Sequence, residues 1–481
     1  VIRTSVVLNY IAKIILIIGL AIIAASFCSL IYAEAILGRM ILAGLITLVI
    51  GAAIDLLIKD KNNMDINYRE CFAVVTFGWL AASLFGTLPY LLTGYVPSFA
   101  DALFETVSGF TTTGASIFSD VEVLPKGLLF WRALTNWLGG MGIMALFVAI
   151  IANVGVRANQ IFRAEVPGPV SDKISPRIRE TAKLLWITYL VMSGILIILL
   201  CLFGMDLFDS ICHTFATMAT GGFSTKNSSL AYYNPLIQWT VIAFMFLAGA
   251  NFTLHFLAFR NRSLKGYLAN AEFKLYTFII LIASAIIFIG IAQYPGWEES
   301  LRQSVFQVVS IITTTGFATA DYNFWSPGSQ VILLALMLVG GCAGSTAGNI
   351  KVSRYIILLE HAKVEIKQMI HPKSVWPVRY GGKPLNQALV VNVLQFFFIY
   401  IMIVAVGIII LSIFGLDLMS SISASLSCMG NIGPGFNLVG PVQNYGHLPD
   451  ISKYVLSVLM FIGRLEIYPV FILFSSLFWE E

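Results

Sequence analysis

Four short stretches carry residue types that could hold a bare cation. They are Ser108-Gly109-Phe110-Thr111-Thr112-Thr113-Gly114-Ala115, Thr217-Met218-Ala219-Thr220-Gly221-Gly222-Phe223, Ile311-Ile312-Thr313-Thr314-Thr315-Gly316-Phe317 and Cys428-Met429-Gly430-Asn431-Ile432-Gly433-Pro434. The chemistry on offer is that of the backbone, because rings of carbonyl oxygens can replace a cation's hydration shell. Non-helical backbone at membrane depth is tolerated only where protein buries it or where it lines a water-filled cavity. Glycine suits such a turn, accepting φ > 0 and close backbone approach. One Thr-Thr-Gly is an ordinary helix-capping turn; four in one register make a repeat. The carbonyls expected to face an ion are those of Thr112, Thr113, Thr220, Gly221, Thr314, Thr315, Asn431 and Ile432, with Gly114, Gly222, Gly316 and Gly433 shaping the turns. Asn431 and Pro434 depart from the other stretches, so the ring should be asymmetric; Pro434 loses a donor, not an acceptor.

These turns need helices on both sides. With the four glycines superimposed, Asp101, Asp209, Gln303 and Ser420 stand thirteen residues upstream, each expected to open a short helix. For Asp101 and Asp209, helix capping is the expected role. Glu105, His213, Gln307 and Ala424 share one position of those helices and read as supports behind the turn rather than ion ligands. The unit is apolar helix, short helix, Thr/Gly turn, apolar helix, written four times.

Composition agrees: 58% of residues are hydrophobic and 11% charged, which excludes an ordinary soluble protein. Several apolar runs exceed the ~18–20 residues that cross a bilayer. The expected spans are Ser5–Tyr32 and Ile36–Ile58 as a hairpin ahead of the repeats. Tyr68–Thr93 and Leu128–Val154, Thr181–Phe203 and Pro235–Phe259, Ala271–Gln293 and Ser329 onward, and Leu385–Phe414 and Ile451–Phe478 follow in pairs. The fold class is an all-α membrane protein with about ten spans and four re-entrant helices around one pore. Its parts are 1–66 (hairpin), 67–160, 161–265, 266–375 and 376–481 (four pore repeats). The first apolar run lacks a small-residue cleavage site and reads as a retained span. The net charge of +4 does not point to nucleic acid, since basic residues sit in short loops. Six scattered cysteines read as small buried hydrophobes. The five histidines form no metal or acid–base spacing, which argues against a membrane enzyme.

Lys and Arg counts orient the chain. One side collects Lys59, Lys61, Arg69, Arg157, Arg163, Lys173, Arg177, Arg179, Lys183, Arg260, Arg262, Lys265, Lys274 and the series Lys351 to Lys383. The other carries Arg39, Lys126, Arg132, Lys226, Arg302 and Lys453. Both termini are therefore expected in the cytoplasm. Asp101, Asp120, Glu122, Asp206, Asp209, Asp321 and Asp417 fall on the outer side, where negative charge raises local cation concentration.

Two anomalies remain. Gly340-Gly341-Cys342-Ala343-Gly344-Ser345-Thr346-Ala347-Gly348-Asn349 interrupts the second span of repeat three, and no other repeat is expected to break at this depth. No Gly-Lys-Ser/Thr follows and no strand precedes it, so it is not a phosphate loop. Arg464 lies inside the last span, where a charge costs at least roughly 2.5–3.5 kcal/mol. Glu466 is two residues on, which disfavours a simple intrahelical pair.

The four turns and Gly463-Arg464-Leu465-Glu466 resemble the Trk/Ktr/HKT superfamily of K⁺ transporters over almost the whole chain, most nearly the membrane subunit of the bacterial Trk system. The resemblance implies K⁺ uptake across the bacterial cytoplasmic membrane by a gated, channel-like pore, with K⁺ at the four turns. Glycine at all four first filter positions implies K⁺ over Na⁺. It also implies that Gly340, Gly341, Gly344, Ser345, Thr346 and Gly348 belong to an intramembrane gate beside Arg464. The leading hairpin marks the Trk type rather than the Ktr type. The implied partners are a second copy in a homodimer, membrane lipid, and a cytoplasmic NAD- or ATP-binding regulatory subunit of the TrkA type docking on basic loops such as Lys351–Lys383. This chain itself is expected to bind no nucleotide. The competing expectation is a secondary symporter coupled to H⁺ or Na⁺, since broken helices mark those proteins too.

Overall fold

The computed structural model describes residues 2–58, 66–142, 178–291 and 296–480. Arg157, Arg163, Lys173 and Arg177, the end of the span expected at Leu128–Val154, and the 160/161 division lie outside the described residues. The fold is an all-α membrane architecture. Its one strand pair, among the described residues, is the hairpin Arg379–Tyr380 with Lys383–Pro384. Gly381 and Gly382 supply the two positive φ angles its two-residue turn requires.

Helices Thr4–Ile31 and Leu37–Leu57 form the leading hairpin, packed on Tyr68–Gly86 of the first repeat. Asn67 and Glu70 close a capping box at the start of that span. Arg3 grips the same carboxylate with two nitrogens, 2.8 and 2.9 Å from its oxygens. First spans of the later repeats are Ile178–Leu202, Ala271–Ile291 and Gln387–Ile413.

The short helices are Phe99–Phe110, Leu207–Met218, Trp297–Ile312 and Leu418–Gly430. Their caps correct the expected ones. Ser98, Asp206 and Asp417 accept the first-turn N–H groups, and the donors are the backbone amides of Asp101, Asp209 and Ser420 themselves. Asp101 and Asp209 sit inside the first turn, where a carboxylate favours the helix dipole without capping it. The third helix opens at Trp297, so Gln303 lies in its middle.

The second spans of repeats two, three and four are broken, which overturns the expectation of one break; the course of the first beyond Gly142 lies outside the described residues. Pro235–Ala248 and Phe252–Asn261 meet at 99°, and Asp450–Arg464 and Tyr468–Phe474 at 111°. Lys126–Gly140 and Pro327–Leu336 have 15 and 10 residues. At about 1.5 Å per residue neither crosses a core of ~30 Å. Among the described residues, six further helices are long and apolar enough to cross. The sequence hid two of the breaks because Gly249-Ala250-Asn251 and Glu466-Ile467 are short, and Glu466 and Ile467 take positive φ without being glycine. Among the described residues, repeat three spends the longest segment on its break, from Met337 to Lys351.

Candidate functional site

Each turn leaves its pore helix the same way. The N–H groups of Thr113, Gly221, Thr315 and Ile432 return to the carbonyls of Ser108, Ala216, Ser310 and Ser427, each at 2.8 Å. Thr112, Thr220, Thr314 and Asn431 take φ of 55, 53, 55 and 55°, a left-handed conformation that L residues seldom adopt. The glycine two places on is also left-handed in every repeat.

The glycines then close a ring. A Cβ on Gly114 would stand 2.3 Å from Gly221 O, one on Gly222 2.1 Å from Thr315 O, one on Gly316 1.9 Å from Ile432 O, and one on Gly433 2.6 Å from Thr113 O. Repeat one therefore touches two, two touches three, three touches four, and four returns to one. All four glycines line one cavity of about 120 Å³.

The carbonyls of Thr112, Thr113, Thr220, Gly221, Thr314, Thr315, Asn431 and Ile432 belong to buried residues, and among the described residues none of these carbonyls accepts a hydrogen bond. Buried carbonyls are almost always paired. Eight such carbonyls on the four turns are left with acceptor capacity that no described residue fills. The pore helices run into the ring by their C-terminal ends, whose partial negative charge acts in the same sense.

The supports lie where the sequence puts them. Glu105 accepts from Ile117 N at 2.9 Å and Ser116 Oγ at 3.1 Å; His213 bonds Ser224 Oγ at 2.9 Å; Gln307 donates to Thr319 Oγ1 at 3.4 Å. In the fourth repeat Ala424 is silent and its neighbour Ser423 accepts from Phe436 N at 2.8 Å. Asp209 takes Thr225 Oγ1 at 2.6 Å and Tyr233 OH at 2.7 Å, tying the second turn's exit to its pore helix.

Several charges read as loop residues are interior. Arg132 is 2% exposed; it donates to Glu105 at 2.8 Å and to Ser224 O at 3.1 Å, and lies over the Phe223 ring. It thus joins the supports of repeats one and two. Lys453 is buried against Asp101 at 2.5 Å, and Arg302 is buried between Glu298 and Gln238. Lys351 is buried too, donating to Ala347 O. The detectable signal for Arg132 was its place within Leu128–Trp137, too apolar a run for a loop. On the outer surface Asp120 and Glu122 hold Asn227, whose amide keeps the Asp120 carboxyl below the usual carboxylate range.

Below the ring, the segment 340–349 folds as a loop whose arms pair at Val339 and Ile350. Gly348 N donates to Thr314 Oγ1 at 2.7 Å, and a Cβ on Gly348 would stand 2.6 Å from Gly430 O. Thr346 Oγ1 donates to Met218 O at 3.1 Å. Gly341 packs on Gly249 O and Gly340 on Gly348 O, leaving no room for a Cβ at either. Gly344 has φ of 73° and passes its carbonyl to Phe252 N at 3.0 Å; Ser345 Oγ returns to Cys342 O at 2.6 Å.

Arg464 completes the arrangement. It donates to Thr346 O at 2.9 Å and to Gly139 O and Gly140 O at 2.6 and 3.0 Å. Cys342 N donates to Gly249 O at 2.8 Å, and Asn349 Nδ2 to Met337 O at 2.7 Å. Broken helices leave carbonyls unpaired at their ends, and here the loop and one arginine satisfy them. Glu466 pairs with Arg354 from the helix that follows the loop.

A family model described as TrkH, cation transport protein, matches residues 37–480. The Trk system potassium uptake protein TrkH of Escherichia coli K12 is 36% identical over 429 residues, 88% of each chain. TrkH of Halomonas elongata is 34% identical over 482 residues, 99% of each chain. The crystal structure of the potassium transporter TrkH from Vibrio parahaemolyticus superposes with a TM-score of 0.88 at 33% identity, covering both chains completely. A match over nearly the whole chain, with the pore architecture intact, makes this protein a member of the TrkH family of cation transport proteins.

Proposed function

We propose that the chain takes up K⁺ across the bacterial cytoplasmic membrane through a gated pore, with both termini in the cytoplasm. The observation that carries the reading is the ring of eight buried carbonyls without protein donors, which a dehydrated cation would satisfy. The relatives named above are potassium uptake proteins, which supports K⁺ as the ion. Thr112, Thr113, Thr220, Gly221, Thr314, Thr315, Asn431 and Ile432 offer the oxygens, while Gly114, Gly222, Gly316 and Gly433 permit the close ring. The loop with Thr346 and Gly348, held by Arg464, is the gate. One axial path through repeats in sequential order favours a pore over the paired inverted halves of a rocking carrier.

The reading includes a homodimer and a separate nucleotide-binding subunit. Exposed Lys363, Lys367, Lys373, Arg379 and Lys383 offer the latter a basic surface beyond the gate. Lys351 is not available there, being buried in the loop.

Growth of bacteria lacking K⁺ uptake tests the proposal. The chain should restore growth at low K⁺, and Gly316→Ser should abolish rescue or make it sensitive to added Na⁺. Full rescue by Gly316→Ser, unaffected by Na⁺, would remove the ring from the ion path.

A further inference from the structure

The loop under the ring has two anchors of different kinds. One is its own neck, where Gly340 N donates to Ile350 O at 2.9 Å and Val352 N to Gly341 O at 3.1 Å. The other comes from outside the loop. Glu272, at the start of the span Ala271–Ile291, is 3% exposed. One of its oxygens accepts from Ala343 N at 2.8 Å and from Ser353 N at 2.9 Å. These donors lie on opposite arms of the loop. Between them fall every contact described above from the loop to Thr314, Met218 and Arg464.

A carboxylate buried in a membrane protein is costly and is retained where it serves a purpose. Lys351, the basic group that acts on it electrostatically, is itself committed to Ala347 O. Among the described residues Glu272 makes hydrogen bonds to Ala343 and Ser353 and none to a ring residue, so it is not placed to hold the ion.

We infer that Glu272 is the latch of the gate: a positioning residue that holds both arms of the loop closed and must let go when the pore opens. The inference rests on the gated-pore reading. Release at Glu272 frees Ala343 and Ser353, while the Val339–Ile350 neck keeps the arms paired. The loop can then leave Thr314 as a unit. Charge-assisted hydrogen bonds are roughly twice as strong as neutral ones, so the latch weakens in graded steps from Glu272 to Gln to Ala.

Cys342 lies beside Ala343 and is buried, as is Cys428 on the fourth pore helix. The purified protein and its Glu272→Gln and Glu272→Ala variants are reacted with a small maleimide, and labelling at each cysteine is followed by mass spectrometry. Rb⁺ efflux is measured from liposomes holding the same proteins. Glu272→Gln should label Cys342 about tenfold faster, the order expected when two charged acceptor contacts become neutral ones. Glu272→Ala should label it faster still, Cys428 should stay protected, and efflux should rise in the same order. Unchanged Cys342 labelling, unchanged efflux, or equal acceleration at Cys428 would each overturn the latch. If no protein, wild type included, passes Rb⁺, the pore reading fails instead, and the labelling still reports on the latch.

Discussion

The Gly348 N–H donates to the Thr314 hydroxyl at 2.7 Å, so the loop beneath the ring is bonded to the ring itself. A gate that merely blocked the path would need no such contact. Here closing the loop also fixes the left-handed residue of the third turn.

Replacing the acceptor therefore changes gating. Thr314→Val keeps the shape and leaves the Gly348 N–H without its partner, costing the closed state about 1–3 kcal/mol. Basal Rb⁺ flux into vesicles should rise, whereas Thr314→Ser should behave as wild type. Equal flux in both variants would show that the contact carries no gating energy.

The ring glycines should differ in tolerance. A Cβ meets a neighbouring carbonyl at 1.9 Å from Gly316 but 2.6 Å from Gly433, on backbone that is left-handed at both. Gly316→Ala should lose more K⁺ over Na⁺ preference than Gly433→Ala, read by Rb⁺ and Na⁺ competition for uptake. The reverse order would contradict the ring geometry.

How these residues could be seen beforehand differs from one to the next. The four turns were legible because one register repeats, and their shared backbone geometry follows that register. The loop was legible because Gly340–Asn349 is too rich in small residues for a helix. Glu272 and Lys351 were not, because a charge near a span end looks like a loop charge until the fold buries it. The break after Ala248 was hidden for another reason: the Ala248 and Gly249 carbonyls are satisfied by Thr346 and Cys342, far along the chain, which local sequence does not encode.

Arg464 acts by bridging. Its two terminal nitrogens reach Thr346 O and the Gly139 and Gly140 carbonyls, in separate repeats. A lysine keeps the charge but not the fork. Arg464→Lys should therefore leak K⁺ in flux assays at equal expression. Tight closure in Arg464→Lys together with faster flux in Arg464→Gln would assign the residue a purely electrostatic role.

The Glu105–Arg132 pair should be sensitive to half-removal. Breaking a buried pair from one side costs about 3–5 kcal/mol, so Glu105→Gln should lower the thermal midpoint in detergent. K⁺ preference should weaken as well, because Arg132 also holds Ser224 O of the neighbouring repeat. A variant of wild-type stability and preference would show the pair to be incidental.

The proposed pore conducts passively and selectively for cations through the ring. Purified protein in liposomes, loaded with K⁺ and diluted into K⁺-free buffer with no H⁺ or Na⁺ gradient, tests it most directly. A membrane voltage near the K⁺ equilibrium potential should develop at once, and replacing K⁺ by Na⁺ inside should greatly reduce it. K⁺ movement that appears only when an H⁺ or Na⁺ gradient is imposed would contradict passive conduction.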